Sequence, residues 1–321
     1  MLIEKYSAQL ETNIFETVGK ALSDLAPARI AAGQGTAGFA VNRRNNAEAK
    51  VPQLIQQGAL KGPTDHSVPV LGVFTPEGKL KAVLFGYACH NTVMGFYQWS
   101  GDYAGFAQIA LEKSHPGATA MFFMGCGGDQ NPLPRKELVL AERYGNMLAA
   151  AVEEVLLSPP RNLEPRMATK MEMVTLDFGP APTEAELQKM LEDDKADSHR
   201  RWAKRLFAEL RSGKSLARTY PYPIQAWRLG DQLLITLGGE PVVDYALKFK
   251  QEFGAQTWVA GYCNDVMTYI PSLRVLKEGG YEGGGAMIPY GRPALRWEDD
   301  VEDLIAAGVN RVVDGACSGR D

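Results

Sequence analysis

The chain has 321 residues, 45% hydrophobic and 22% charged, which is enough apolar material for a large core and places it outside the disordered and fibrous classes. Its net charge of -4 and pI near 5.7 leave no cationic excess, and no Lys/Arg stripe interleaves with aromatics, so nucleic acid is not an expected partner. No run reaches the roughly 18 apolar residues of a membrane helix, and Met1-Leu2-Ile3-Glu4-Lys5 lacks the pattern of a signal peptide; the sequence as written predicts a soluble chain without stable membrane insertion or an export signal.

In chain order, residues 2–25 carry apolar side chains at helical spacing (Ile3, Leu10, Ile14, Val18, Leu22) up to the stop at Pro27, and predict an amphipathic helix. A strand at 28–32 precedes Gly-rich turns, the segment Phe39-Ala40-Val41-Asn42-Arg43-Arg44, and a polar stretch at 45–65 that reads as a loop. Apolar runs at 68–74 and 81–88 flank Pro76-Glu77-Gly78 and predict a hairpin. A short helix at 105–114, a buried strand at 118–124 and a long helix at 137–157 follow the order of an α/β domain. Charge-rich helices fill 183–210, where Asp193-Asp194-Lys195-Ala196-Asp197 is a solvated face. Strands at 224–229, 232–237 and 256–261 then alternate with helices at 242–253 and 298–307. The whole pattern predicts an α/β fold, a mixed-sheet core flanked by helices, as a single domain over 1–321. The scattered Cys89, Cys126, Cys263 and Cys317 predict free thiols, with a disulfide left open.

Five segments carry groups suited to chemistry. Tyr87-Ala88-Cys89-His90-Asn91-Thr92 ends a predicted strand, where His90 can offer one ring nitrogen to a metal while the other is held by an acceptor. Ser100-Gly101-Asp102 leads into a helix; Ser100 suits a cap, and Asp102 either caps or faces a cleft. Met124-Gly125-Cys126-Gly127-Gly128-Asp129-Gln130-Asn131-Pro132 joins strand to helix, and its glycines would let the backbone approach a ligand, adopt positive φ and stabilise negative charge. Gly238-Gly239-Glu240-Pro241 places a carboxylate at a strand end, as metal ligand, general base or helix cap. Tyr262-Cys263-Asn264, Tyr269-Ile270-Pro271 and Glu278-Gly279-Gly280-Tyr281-Glu282-Gly283-Gly284 group tyrosines with glycines, as lids or packing.

In this order these segments, with Leu25-Ala26-Pro27-Ala28-Arg29 and Val41-Asn42-Arg43-Arg44, resemble the catalytic domain of the neutral, non-lysosomal ceramidases and their bacterial relatives. The resemblance implies one zinc ion, which that family holds with two histidines, a glutamate and a tyrosine for amide hydrolysis of N-acylsphingosine. His90 matches the second histidine, Glu240 the glutamate and Tyr269 the tyrosine, while Arg43 and Tyr281 match positions beside the scissile group. The family's first metal histidine lies in a His-x-His-Ser-Gly motif upstream of the initial helix and has no counterpart here, so the chain resembles an N-terminally shortened domain. His66 or His115 would be the substitutes, and neither lies in a matching motif.

The ceramidase loop Gly-Asp-x-Ser-Pro reads Gly128-Asp129-Gln130-Asn131-Pro132 here, which puts an amide, not a nucleophile, in the serine's place. The expected mechanism is therefore attack by zinc-activated water, whose pKa falls to roughly 7, with Asp129 or Glu240 orienting or deprotonating it. These readings predict a zinc-dependent amidase or esterase acting on a small acylated or lipid-like substrate. The alternatives are a catalytically inactive binding domain of the same fold and a serine-type carboxylesterase whose nucleophile the sequence does not reveal; no G-x-S-x-G elbow is present.

Overall fold

Runs rich in Val, Leu, Phe and Tyr build two sheets whose strand ends converge, and the computed structural model describes residues 2–193 and 197–318 of the chain. The first half consists of α1 (Leu2–Ser23), β1 (Arg29–Thr36), β2 (Ala40–Asn42), α2 (Val51–Gln56), β3 (Ser67–Phe74), β4 (Leu80–Tyr87), α3 (Asp102–Ser114), β5 (Thr119–Met124), β6 (Gln130–Pro132), α4 (Leu138–Leu157) and β7 (Arg161–Asn162). Its five-stranded sheet has the order β5-β4-β3-β1-β7. The predicted hairpin is β3 and β4, antiparallel with Val70 opposite Phe85, and Gly78 supplies the positive φ of its turn. Helix α3 crosses over between β4 and β5, which makes that pair parallel.

Val83, Phe85 and Tyr87 of β4 are at most 1% exposed beneath α3 and α4, and each such side chain contributes about 2 kcal/mol by leaving water. Gly145 lets the two helices approach, since a Cβ there would stand 2.5 Å from Phe106 Cβ.

The second half comprises β8 (Met167–Asp177), α5 (Glu184–Asp193), α6 (Asp197–Arg211), β9 (Thr219–Leu229), β10 (Gln232–Leu237), β11 (Glu240–Pro241), α7 (Val243–Phe253), β12 (Trp258–Ala260), β13 (Tyr269–Ile270), α8 (Leu273–Glu278), α9 (Gly280–Gly283) and α10 (Val301–Ser318). Its four-stranded sheet runs β12-β10-β9-β8, with β10 and β12 parallel across the α7 crossover. Tyr222, Ile224, Ala226, Ile235 and Leu237 pack against Phe249 of α7 and Ile305, Val309 and Val312 of α10. The sheets meet through Ala32, Leu163 and Trp258 and through a bridge between Gly125, just beyond β5, and Ala260, the last residue of β12.

Three expectations change. The stretch at 45–65 contains a helix, α2, because Pro52 presets its first turn and Val51 buries fully with Val41 and Leu133. Residues 167–177, to which the sequence reading assigned no element, form the strand β8, which buries Val174 and Leu176 against α10 and leaves Met167, Met171 and Met173 exposed on its other face. Helix α1 forms as predicted but buries none of its side chains; Tyr6 stacks on Trp99 with ring centroids 6.1 Å apart. Of the predicted solvated face at 193–197, residues 194–196 lie outside the described residues, and Asp197 is exposed. No helix among the described residues is long and apolar enough to cross a membrane.

Candidate active site

The site lies where the carboxyl ends of both parallel strand pairs converge, the usual place for ligand clefts in open α/β sheets. His90 follows β4 within three residues, and its N–H donates to the Gln130 carbonyl at 3.0 Å, while Tyr103 Oη and the Gln130 side chain donate to the Cys89 and Ala88 carbonyls. The strand is thus fixed up to the residue that carries the imidazole. Glu240 and Tyr269 are direct partners in the parallel β11–β13 pair, so register alone brings a carboxylate beside a phenol. The β2–β6 pair sets Val41 opposite Asn131, and the Arg43 N–H donates to the Asp129 carbonyl at 2.8 Å, which delivers Arg43 to the same place. Tyr87 anchors that segment by donating to the Ala37 carbonyl and accepting from the Ala40 N–H.

His90 Nε2 stands 3.8 Å from Glu240 Oε2 and 3.3 Å from Tyr269 Oη. Zinc bonds of about 2.0–2.1 Å in a tetrahedron place neighbouring donor atoms roughly 3.4 Å apart, so both separations from His90 Nε2 are near those of neighbouring ligands on one ion. Burial first, and then the charge of Arg43, pulls the His90 pKa down to about 4, so the imidazole is neutral, its metal-binding form. Glu240, 5% exposed, therefore has no cationic side-chain partner among the described residues. A buried carboxylate satisfied only by neutral donors favours a cation beside it.

Arg43 donates from Nη2 to Tyr269 Oη at 3.2 Å, from Nη1 to Asn131 Oδ1 at 3.4 Å and from Nε to Glu282 Oε1 at 2.7 Å. Glu282 also accepts from Arg44 Nη1 at 2.6 Å. Burial alone would raise the Glu282 carboxyl, but the charge of Arg43 and hydrogen bonds from Arg44 and Arg43 hold it below the usual range. Burial raises the Tyr269 phenol, and the positive charge of Arg43 pulls the other way. Tyr281, 46% exposed, sets its ring 5.2 Å from that of Tyr269 at the rim of a cleft of about 530 Å³ that Arg43, Arg44, Asn131 and Arg135 also line.

The structure therefore brings His90, Glu240, Tyr269, Arg43, Asn131 and Tyr281 together, and sets two of the predicted residues apart. Asp129 is fully buried; Oδ1 accepts from the Val243 N–H at 2.8 Å, capping α7, and Oδ2 accepts from Asn42 Nδ2 at 2.9 Å. Neither oxygen is left to orient water. Asp102 turns away from the cleft, accepting from the N–H groups of Val93, Met94 and Tyr103, and so holds the loop after His90; Ser100 Oγ accepts from the Asp102 N–H. The glycines of 125–128 serve packing: none has positive φ, their N–H groups bond to Tyr87, Gly125 and Pro241 carbonyls, and a Cβ on Gly128 would lie 2.7 Å from the Glu240 carbonyl oxygen. They form no anion nest. His66 contacts the Ala40 carbonyl and His115 pairs with Glu153, and among the described residues no cluster of three or more His, Cys, Asp or Glu side chains is placed to hold a metal.

Two site groups were not assigned from sequence. Tyr262 Oη donates to Glu240 Oε2 at 2.8 Å and lies 3.3 Å from His90 Nδ1, and Tyr290 Oη donates to Glu240 Oε1. Tyr262 follows β12 as His90 follows β4, which is the signal that could have singled it out. Tyr290, in the Ile288-Pro289-Tyr290-Gly291 turn, offers none.

A mixed α/β fold with a His–Glu–Tyr group at a two-sheet junction is what the geometry defines, and solved structures share the fold. The fold is ceramidase-like: the chain superimposes on the neutral ceramidase of Pseudomonas aeruginosa with a TM-score of 0.62 at 17% identity, covering 92% of this chain and 55% of that one. A ceramidase complexed with C2 matches with a TM-score of 0.62 at 16% identity, over 91% and 54% of the two chains. The chain thus spans about half the length of these structures. No protein-family profile and no curated protein matches the sequence.

Proposed function

We propose that this chain is a zinc-dependent hydrolase that cleaves an amide or ester bond in an acylated, lipid-like substrate. The observation that carries the reading is the placing of His90 Nε2 3.8 Å from Glu240 Oε2 and 3.3 Å from Tyr269 Oη, separations near those of neighbouring donors on one tetrahedral ion, beside a guanidinium. His90, Glu240 and Tyr269 would hold the zinc. When bound, it would polarise the scissile carbonyl and acidify water at the open position.

Arg43 supplies the fixed positive charge. With Nε tied to Glu282, its Nη groups are directed at Tyr269 and Asn131, where a carbonyl oxygen gaining negative charge would be stabilised. Tyr281 covers the cleft rim and limits water. Asn131, held by Arg43 in the place where the resembling family has serine, offers no nucleophile, so water is the attacking group. Asp129 and Asp102 act by positioning, the first through α7 and the second through the loop after His90.

The test is metal content by elemental analysis of the protein, His90→Ala and Glu240→Ala, with hydrolysis of an N-acyl amide and a p-nitrophenyl ester. About one zinc per chain, lost with turnover in both variants, is the expected result. Protein that takes up no zinc and turns over neither substrate would overturn the reading in favour of an inert binding domain. Covalent labelling by a fluorophosphonate would point instead to a serine-type esterase.

A further inference from the structure

A phenol carries one proton, and in Tyr262 the hydroxyl gives it to Glu240 Oε2 at 2.8 Å. Towards His90 Nδ1, 3.3 Å away, Tyr262 can then only accept. A neutral imidazole carries one N–H. If that proton sits on Nδ1, Nε2 is left with its lone pair directed at Tyr269 Oη, and Tyr269, already accepting from Arg43 Nη2, completes the chain by donating to Nε2. Each hydrogen bond in this sequence has one donor and one acceptor, from the guanidinium to the carboxylate.

A competing arrangement exists. The Gly128 carbonyl lies 3.2 Å from Nε2 and is an acceptor, so it favours the opposite tautomer, with the proton on Nε2 and no lone pair for a metal. We propose that Tyr262 is a positioning residue that selects the Nδ1–H tautomer of His90 and so frees Nε2 as a ligand atom. The backbone supports this role. Tyr262 is held at φ 59°, a left-handed conformation costly for an aromatic residue, by its N–H to the Gly239 carbonyl at 2.9 Å and the Cys263 N–H to the Leu237 carbonyl at 3.0 Å. That turn, anchored on the segment just before Glu240, directs the phenol between the two groups it bridges. The tautomer belongs to the metal-free chain; its consequence for zinc rests on the function proposed above.

The experiment is long-range proton–nitrogen correlation NMR of His90 in metal-free, nitrogen-15-labelled protein, with zinc affinity measured by chelator competition on the same samples. The parent should show a protonated Nδ1, an unprotonated Nε2, and a nuclear Overhauser contact from the Nδ1 proton to the Tyr262 ring. Tyr262→Phe keeps the ring but removes the acceptor, and should move the proton to Nε2 and weaken zinc binding about 10- to 100-fold. Tyr290→Phe removes a donor to the same carboxylate without touching His90, and should leave the tautomer unchanged.

A parent with Nε2–H, a missing contact to Tyr262, or a Tyr262→Phe protein that keeps Nδ1–H would overturn the assignment, even if the enzyme hydrolyses amides. Should Tyr262→Phe fail to fold, the parental tautomer and contact still decide. Tautomer inversion in a chain that binds no zinc and turns over nothing would uphold the assignment and sink the hydrolase reading.

Discussion

Replacing Asp129 by asparagine should change stability in a way that depends on pH. Burial raises the Asp129 carboxyl to about 6, against the opposing N–H bond from Val243. A folded-state pKa above the unfolded value means that the native chain holds the proton more tightly, so the group's stabilising contribution is present below about pH 4 and is lost as pH rises through about 6. The gap between these values corresponds to about 3 kcal/mol, of which ~2 is recovered on acidifying from neutral pH to about pH 4.

Asparagine does not titrate. It can keep an acceptor for the Val243 N–H, but its amide nitrogen then faces Asn42 Nδ2, and Asn42 cannot flip, because its Oδ1 accepts from the Arg44 N–H at 3.1 Å and its Nδ2 donates to the Pro63 carbonyl at 3.0 Å. That donor–donor contact costs about 1–3 kcal/mol at neutral pH. Urea unfolding of both proteins at neutral pH and at about pH 4 measures the gap, and titrations common to both cancel in the difference. The parent's advantage should widen by ~2 kcal/mol at the lower pH. A gap that stays constant, or narrows, would refute the assignment of Asp129 as the buried, proton-holding cap of α7.

Glu282→Gln strips the shared carboxylate from Arg43 and Arg44 and should cost about 3 kcal/mol by chemical unfolding, since the largely buried Arg43 guanidinium loses its ion-pair partner and Arg44 keeps only the exposed Glu278. In the same variant the charged bond that pins Arg43 through Nε becomes at most a neutral one to the amide oxygen, and turnover of any substrate found should fall about tenfold; unchanged turnover would show that the Glu282 charge is not needed to hold Arg43 in place. Asp102→Ala leaves the Val93, Met94 and Tyr103 N–H groups without their carboxylate and should cost about 2 kcal/mol, with faster proteolysis at 91–101. Asp102→Asn, which keeps one acceptor oxygen, should fall between parent and alanine variant; equal losses would mean that the loop is held by something else.

The long elements were legible because each buries one continuous stripe or face. In α4 the buried Ala141, Tyr144, Gly145, Leu148, Ala149 and Val152 recur at three- and four-residue spacing, and in β4 an apolar run feeds His90 to the strand end. The two- and three-residue strands β2, β6, β11 and β13 were not legible, although they set the site. Each is defined by a partner distant in the chain, such as Asn131 beside Val41 or Tyr269 beside Glu240, and carries too few residues to show a period.

The same limit explains why Asp129 leaves the role the sequence reading gave it, whereas Glu240 stays among the site groups. Asp129 and Glu240 share one local pattern, a carboxylate after two glycines, which suited the first to orienting water and the second to metal ligation, base catalysis or a helix cap. What separates them is where their side chains end. The short Asp129 side chain meets the Val243 N–H and the Asn42 amide, so its oxygens are consumed by neutral donors with fixed partners. The longer Glu240 side chain reaches Tyr262, Tyr290 and the edge of His90, none of them cationic at neutral pH. Removing Asp129 therefore breaks a structural joint, whereas Glu240 meets only neutral side-chain donors beside His90. That distinction depends on contacts 87 and 114 residues apart in the case of Asp129, and on tyrosines 22 and 50 residues away in that of Glu240, which local sequence does not encode.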